Sequence, residues 1–359
     1  MSLRGDAVEE LQEELRRHAR VLPRGGGTKP ALSNPPEGTV SLDVSGLTGI
    51  EDYDPEELTF TARAGTSVRV IQDALAENGQ YLPFDPPLAD AGATLGGVVA
   101  AGTSGPLRYR NGGVRDFILG VRFLDGEGRD VTAGGRVVKN AAGFDLSKLM
   151  VGSAGRLGVM LELSFKVFPQ PKAWATLTIE ASDLEDALEV IGRLATAPFD
   201  LEALDLEPPG RLHLRLAGVE EAMPARLERL EGLLERGGER REGEDEDALW
   251  RAARDFAWAP QGAAIAKVAL VPRRVPELEA QLEPLGAGRR YAAGANIAWL
   301  VWPPERTAEQ LDGVLRSLDL AGVFLTGSAP HPLVGAHRGG AFAERVKAAL
   351  DPPGRFPEV

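Results

Sequence analysis

The chain has 359 residues, 43% of them hydrophobic and 26% charged, which is more than one core usually holds and favours two domains. Its net charge of -13 argues against a nucleic-acid footprint, and no apolar run approaches the roughly 18 residues needed to span a bilayer. The lack of cysteine removes disulfides, iron–sulfur ligation and thiol catalysis; the scattered His18, His213, His331 and His337 give no metal-ligand spacing, so a cytoplasmic, metal-free protein is expected.

The first twenty residues read as a charged amphipathic helix without the apolar centre of a signal peptide. "VLPRGGGTKPAL" follows as a short strand and a triple-glycine loop, and strand-like runs come at 40–44 and 58–63. "TSVRVIQDALAENGQ" predicts a helix: Thr66 or Ser67 can cap it, Val70, Ile71, Ala74 and Leu75 recur at helical spacing, and Gly79 stops it. A Pro/Gly-rich stretch then holds one short helix near Leu95–Ala101. "FILGVRFLDGEGRDVTAG" reads as a hairpin turning at Asp125–Gly128, and "VGSAGRLGVMLELSFKVFP" closes this half with a strand.

Beyond a Pro-rich joint at 169–171 the texture changes to strands alternating with helices, in two rounds between 173 and 345. The pattern predicts an α+β domain, a sheet with helices on one face. The acidic "EGEDEDALW" reads as a solvated helix start. The tryptophans at 250, 258, 299 and 302 read as apolar packing before they read as a stacking surface.

Three glycine clusters occupy the first half: 24–28, 92–105 and 152–158. A phosphate loop of the G-K-[ST] type is excluded, because "GGGTKPALSNPP" has neither the spacing nor a following helix. A Rossmann fingerprint is excluded too, since Gly152, Gly155 and Gly158 are spaced G-x-x-G-x-x-G and precede a strand. What remains is either turn chemistry or a ligand held by main-chain N–H groups, which bare backbone can approach closely. Several such loops suit a long dinucleotide, with its pyrophosphate on one loop and an uncharged ring along the others.

"LPRGGGTKP", "PPLADAGATLGGVVAAGTSGP" and "GSAGRLGV" occur in the order in which similar segments occur in the flavoprotein family of vanillyl-alcohol oxidase and p-cresol methylhydroxylase. The resemblance covers about residues 20–170. It implies that the backbone of Arg24, Gly25, Gly26, Gly27 and Thr28 cradles the FAD pyrophosphate. It further implies that Thr94, Gly96, Gly97, Gly102 and Ser104 line the flavin and ribityl chain, and that Gly152, Ser153, Gly155, Gly158 and Val159 pass beside the ring and the adenosine. Within that family, "RNGGVRDFILGVRFLDGEG", "VKNAAGFDLSKLMVGSAGRLGVMLELSFKVFP" and "ALWRAARDFAWAP" resemble the FAD-binding E subunits of bacterial glycolate oxidases. The resemblance implies partners: a related FAD-binding subunit better suited to substrate oxidation, and an iron–sulfur subunit. The ending "ALDPPGRFPEV" departs from the usual D-P-x-x-x-x-N-P-G, having no Asn.

Some members of the wider family tether FAD through His or Cys. This chain has no Cys and no His between 19 and 212, so non-covalent FAD is expected. Members that oxidise D-2-hydroxy acids show H-G-D-G-N-x-H, whereas "LTGSAPHPLVGAH" lacks the histidine pair and the acid, which makes His331 a surface residue and leaves the catalytic residue unassigned. Lys139 and Asp145 are either orienting groups at the flavin or a surface charge and a helix cap. Arg115 and Asp116 read as a structural ion pair.

The expectation is therefore an α+β protein. A PCMH-type FAD-binding domain of two α/β subdomains covers 1–170, and a smaller α+β cap covers 171–359, its last helix returning to the first domain. Its implied function is the FAD-binding subunit of a complex oxidising glycolate or a related small 2-hydroxy acid, cytoplasmic or held at the inner membrane through that complex. A self-sufficient FAD-dependent oxidase and an assembly subunit that has lost its flavin are the alternatives.

Overall fold

The computed structural model describes residues 5–135, 145–327 and 331–358, with side chains from residue 7. Two compact units emerge: Met1–Ser104, Gly113–Gln170 and Arg338–Val359 form one, and Gly105–Gly112 with Pro171–His337 form the other. The division thus differs from a single cut at 169–171. An eight-residue excursion leaves the first unit after Ser104, and the C-terminal helix belongs to that first unit. The excursion has no local signature, because it depends on which distant residues the segment meets.

The first unit is built on an antiparallel five-stranded sheet in the order Ile50–Asp54, Thr59–Arg63, Val159–Lys166, Ile118–Leu124, Asp130–Gly134. The central strand is shared by two apolar cores. Leu163 and Phe165 pack with Phe60, Phe84, Phe123 and the helices Val68–Ala76 and Leu95–Ala101. Val159 and Leu161 pack with Leu15, Val21, Leu42 and Phe356. The second core belongs to a small parallel pair, Val21–Arg24 against Val40–Asp43, and the opening helix Gly5–Arg17. Ser67 supplies the cap predicted for the helix at 68, accepting from the Arg69 N–H at 3.3 Å, while Thr66 turns its hydroxyl to the Gly49 carbonyl.

Asp351 pins the C-terminal segment. It is 3% exposed, and its carboxylate accepts from the main-chain N–H groups of Arg355 and Phe356 and from the Lys347 ammonium, each at 2.8 Å. The Arg355 guanidinium caps the carbonyls of Leu15, Arg16 and His18. Asp351→Ala is expected to destabilise this unit by about 3 kcal/mol, since buried donors to a charged acceptor lose their partner together. Limited proteolysis should show new cleavage after residue 337; an unchanged digest would remove Asp351 as the pin.

The second unit is a duplication. Its first half runs Ala173–Glu180, helix Leu184–Thr196, Ala203–Glu207, Arg211–Gly218, helix Met223–Leu234, Glu239–Glu242. Its second half repeats that order: Ala264–Ala269, helix Val275–Leu282, Gly288–Ala292, Ile297–Trp302, helix Ala308–Ser317, Ala321–Phe324. In each half the strands lie in the order fourth, first, third, second, which is the split β-α-β arrangement of ferredoxin-like folds. The halves join antiparallel through their second strands at Leu206 and Tyr291, and Leu333–Gly335 extends the far edge to nine strands. At the join, Arg290 donates to Glu207 at 2.5 Å and lies 3.4 Å from Asp205.

Alternation puts Leu177, Ile179, Leu212, Leu214 and Leu216 on one face, and Thr176, Thr178, His213 and Arg215 on the other. An additional helix, Gly243–Arg254, covers the polar face, so helices are not confined to one side. That helix also corrects the expectation of a solvated acidic start, because Glu246 within it is fully buried against Arg215. The excursion's short helix, Arg108–Asn111, packs on Ala203–Glu207, and Arg110 pairs with Asp200 at 2.7 Å.

Candidate functional site

The three glycine clusters converge within the first unit. A cavity of about 60 Å³ is lined by Pro23, Gly25, Gly26, Gly27, Thr28 and Lys29 from the first cluster, Thr94, Gly97, Ala100 and Ala101 from the second, and Ala154 and Gly155 from the third, with Leu32 and Ser33 beside them. One ordered water occupies roughly 10–15 Å³ on this scale, so the space admits a phosphate-sized group and not a whole dinucleotide.

What the lining offers is main chain. Among the described residues, the N–H groups of Gly25, Gly26, Gly27 and Thr28 donate to no acceptor in the protein. Four successive free donors around a small hollow suit an oxyanion, which such a nest of main-chain N–H groups can hold. The sequence enforces the close approach at Gly26, where a Cβ would stand 2.0 Å from the Gly92 carbonyl oxygen. At Gly155 it enforces a turn instead: φ is +74°, in the left-handed region that favours glycine.

The remaining expected residues surround the cavity without lining it. The exposed Arg24 lays its guanidinium over Gly27. Gly96 lies against Ala64, and Gly102, which ends the helix Leu95–Ala101, lies against Gly152. Ser104 is buried and its hydroxyl accepts from the Val114 N–H at 3.0 Å. Gly158 abuts the Phe123 ring, with room for no Cβ, and Val159 is fully buried in the core. Ser153 is buried with a hydroxyl that finds no partner among the described residues, and the same holds for Thr103, which sequence reasoning passed over.

Two cations were also missed. Lys29 is only 5% exposed, and burial lowers its pKa to about 8. Arg156, 3% exposed, donates to the carbonyls of Ala154, Leu32 and Glu358, tying the third cluster to the first and to the C-terminal tail; burial lowers its pKa as well. Lys29 stands in the quoted "GGGTKP", but a lone lysine is ordinarily a solvated charge, so the string gave no reason to bury it.

Asp145 is the cap of the helix Leu146–Met150, accepting from the Lys148 N–H at 3.1 Å; Lys139 lies outside the described residues. The expected Arg115–Asp116 pair is corrected: the Asp116 carboxylate accepts from the Gly113 N–H at 2.8 Å and caps the short helix Val114–Phe117. His331 is exposed and His213 is buried against Thr178. No helix among the described residues is long and apolar enough to cross a membrane.

Residues 5–134 match the FAD binding domain family. The chain is 41% identical to the glycolate oxidase subunit GlcE of Escherichia coli over 225 residues, 63% of each protein. It is 30% identical to the glycolate oxidase subunit GlcD of Bacillus subtilis, over 52% of this chain and 40% of that one. A D-lactate dehydrogenase of Archaeoglobus fulgidus is likewise 30% identical, over 52% of this chain and 42% of the relative. The matches therefore span between 40% and 63% of these relatives' lengths. Among solved structures, alkyldihydroxyacetonephosphate synthase shares the fold, with a TM-score of 0.70 over 99% of this chain and 76% of that one at 15% identity. Residues 5–134 thus resemble an FAD binding domain, and the chain is similar over 225 of its residues to a glycolate oxidase subunit.

Proposed function

We propose that this chain is the FAD-binding subunit of a glycolate oxidase-like complex that converts glycolate or a related 2-hydroxy acid to the 2-oxo acid. The observation that carries the reading is the run of four N–H groups at Gly25–Thr28 that find no acceptor among the described residues, in a segment lining a hollow of phosphate size. These groups would hold the FAD pyrophosphate, with Thr94 and Gly97 beside it, and FAD when bound supplies the two-electron acceptance that the oxidation requires. The remaining residues expected from the motifs act on the cofactor through position. Gly96 and Gly158 allow close packing of the loops, and Gly102 meets Gly152 so that the second and third clusters adjoin.

A related FAD-binding subunit would carry the substrate chemistry and an iron–sulfur subunit the onward electron transfer. The complex would lie in the cytoplasm or at the inner membrane's inner face. Similarity to both a GlcE and a GlcD subunit supports an assembly of two related flavoproteins.

The test is optical. The purified chain, given FAD and passed through gel filtration, should keep the flavin absorption band and release the flavin on denaturation. Anaerobic glycolate should bleach that band only after the related flavoprotein subunit is added. Bleaching by the chain alone would establish a self-sufficient oxidase instead, and a colourless chain would end the flavin assignment.

A further inference from the structure

We infer that the Lys29 ammonium is the fixed positive charge of this anion seat, so that FAD is held through its diphosphate by four main-chain N–H groups and one buried cation. The inference rests on the proposed reading of the cavity and adds a residue and a regulation to it.

Lys29 is the single charged side chain among the described residues lining the cavity. It is buried, yet the hydrogen bond it makes is to the neighbouring Thr28 hydroxyl at 3.4 Å, and it forms no ion pair among the described residues. An ammonium taken out of water without a counter-charge is strongly disfavoured, so a fold that buries one beside four free N–H donors is built for an anion. A structural lysine would instead be expected to bridge a carboxylate or to cap several carbonyls, as Lys347 does with Asp351 and the Arg156 carbonyl.

Among the described residues, no carboxylate side chain lines the cavity beside Lys29. Arg24, on its own segment, is a cation lying over Gly27. Arg156, on the third cluster, is a cation committed to three carbonyls. Asp43, on the strand paired with Val21–Arg24, is held by the Ser45 N–H at 2.8 Å, and that hydrogen bonding keeps its carboxyl below the usual range. Ser33 and Thr94 contribute uncharged hydroxyls, and the Ser33 hydroxyl donates to the Lys29 carbonyl.

The sign of the pH effect follows. With its pKa lowered to about 8 by burial, Lys29 in the free protein sheds its proton near that pH. A diphosphate beside the ammonium raises the pKa, so above pH 8 binding must take up a proton. FAD affinity should therefore fall by about tenfold per pH unit from pH 8 until the pKa of the bound state is reached.

The experiment measures binding to the full chain by fluorescence and calorimetry, using FAD and riboflavin, which carries the same ring without the diphosphate. Lys29→Met should weaken FAD at pH 7 by at least tenfold, leave riboflavin unchanged, and flatten the FAD profile above pH 8. Lys29→Arg should restore most of the affinity at pH 7. Calorimetry of the unmutated chain at pH 9, in buffers of different ionisation enthalpy, should read uptake of about one proton with FAD and none with riboflavin. This measurement does not depend on any variant folding. FAD binding that is equally tight in Lys29→Met, or proton-independent in the unmutated chain, overturns the inference and leaves the cavity assignment standing. An unmutated chain that binds neither FAD nor ADP overturns the cavity assignment itself.

Discussion

Gly97→Leu is expected to strip FAD from the chain while leaving it folded. Gly97 sits in the helix Leu95–Ala101, where leucine is the better helix former by just under 1 kcal/mol. Its φ is not in the left-handed region, and a Cβ there meets only the Thr94 hydroxyl, at 3.1 Å. The rest of a leucine side chain would extend into a hollow of about 60 Å³, enough to fill the space that a phosphate needs. FAD affinity should fall at least a hundredfold, which corresponds to about 3 kcal/mol, with the melting temperature within about 3 °C of the parent. Equilibrium dialysis with FAD and a thermal melt on the same sample check both halves. Undiminished FAD content would show that the diphosphate sits elsewhere. Gly26 and Gly155 are poorer probes, because at Gly26 a side chain collides with the Gly92 backbone, and at Gly155 φ itself resists substitution.

Glu246→Ala should unfold the second unit at markedly lower denaturant. Glu246 is 0% exposed, and its two oxygens accept from Arg215 Nε and Nη2, both at 2.8 Å, and from the Thr176 hydroxyl at 2.9 Å. The Trp250 indole N–H donates to that same hydroxyl at 2.7 Å, and Arg215 lies 4.1 Å from the centre of the Trp174 ring. Removing the carboxylate leaves the buried guanidinium with only the exposed Asp247 carboxylate, 3.9 Å away, as counter-charge, a loss of about 3–5 kcal/mol. Replacing both partners together, Glu246→Leu with Arg215→Met, should recover most of it, since the penalty comes from the stranded charge. All five tryptophans, at 174, 250, 258, 299 and 302, lie in the second unit, so indole fluorescence in urea isolates its transition from that of the first unit. A shift below about 1 kcal/mol would mean that Glu246 behaves as a solvated surface acid.

Glu246 also marks where local reading stops. In "EGEDEDALW" it is one of five acids in a row of nine, and nothing nearby distinguishes the one that turns inward. Its burial depends on Arg215 and Thr176, which arrive from strands 31 and 70 residues away. The same limit hid Lys29, whose burial comes from enclosure by the second and third clusters and not from its own segment. The strands Ala203–Glu207, Gly288–Ala292 and Ala321–Phe324 were passed over for a related reason: they are four or five residues long and gain their identity from neighbours in a nine-stranded sheet.

Helices with strong periodicity were legible, because a 3.6-residue apolar stripe and a cap are contained in one short window. Val68–Ala76 falls where the pattern puts it. The three glycine clusters, their order and their fit to a flavin family could likewise be read directly, since bare backbone is written in residue type. Their convergence on one cavity could not. Nor could the unpaired N–H groups of Gly25–Thr28 or the buried charge of Lys29 beside them. Those follow from long-range packing, which brings the three clusters around one hollow and takes Lys29 out of water.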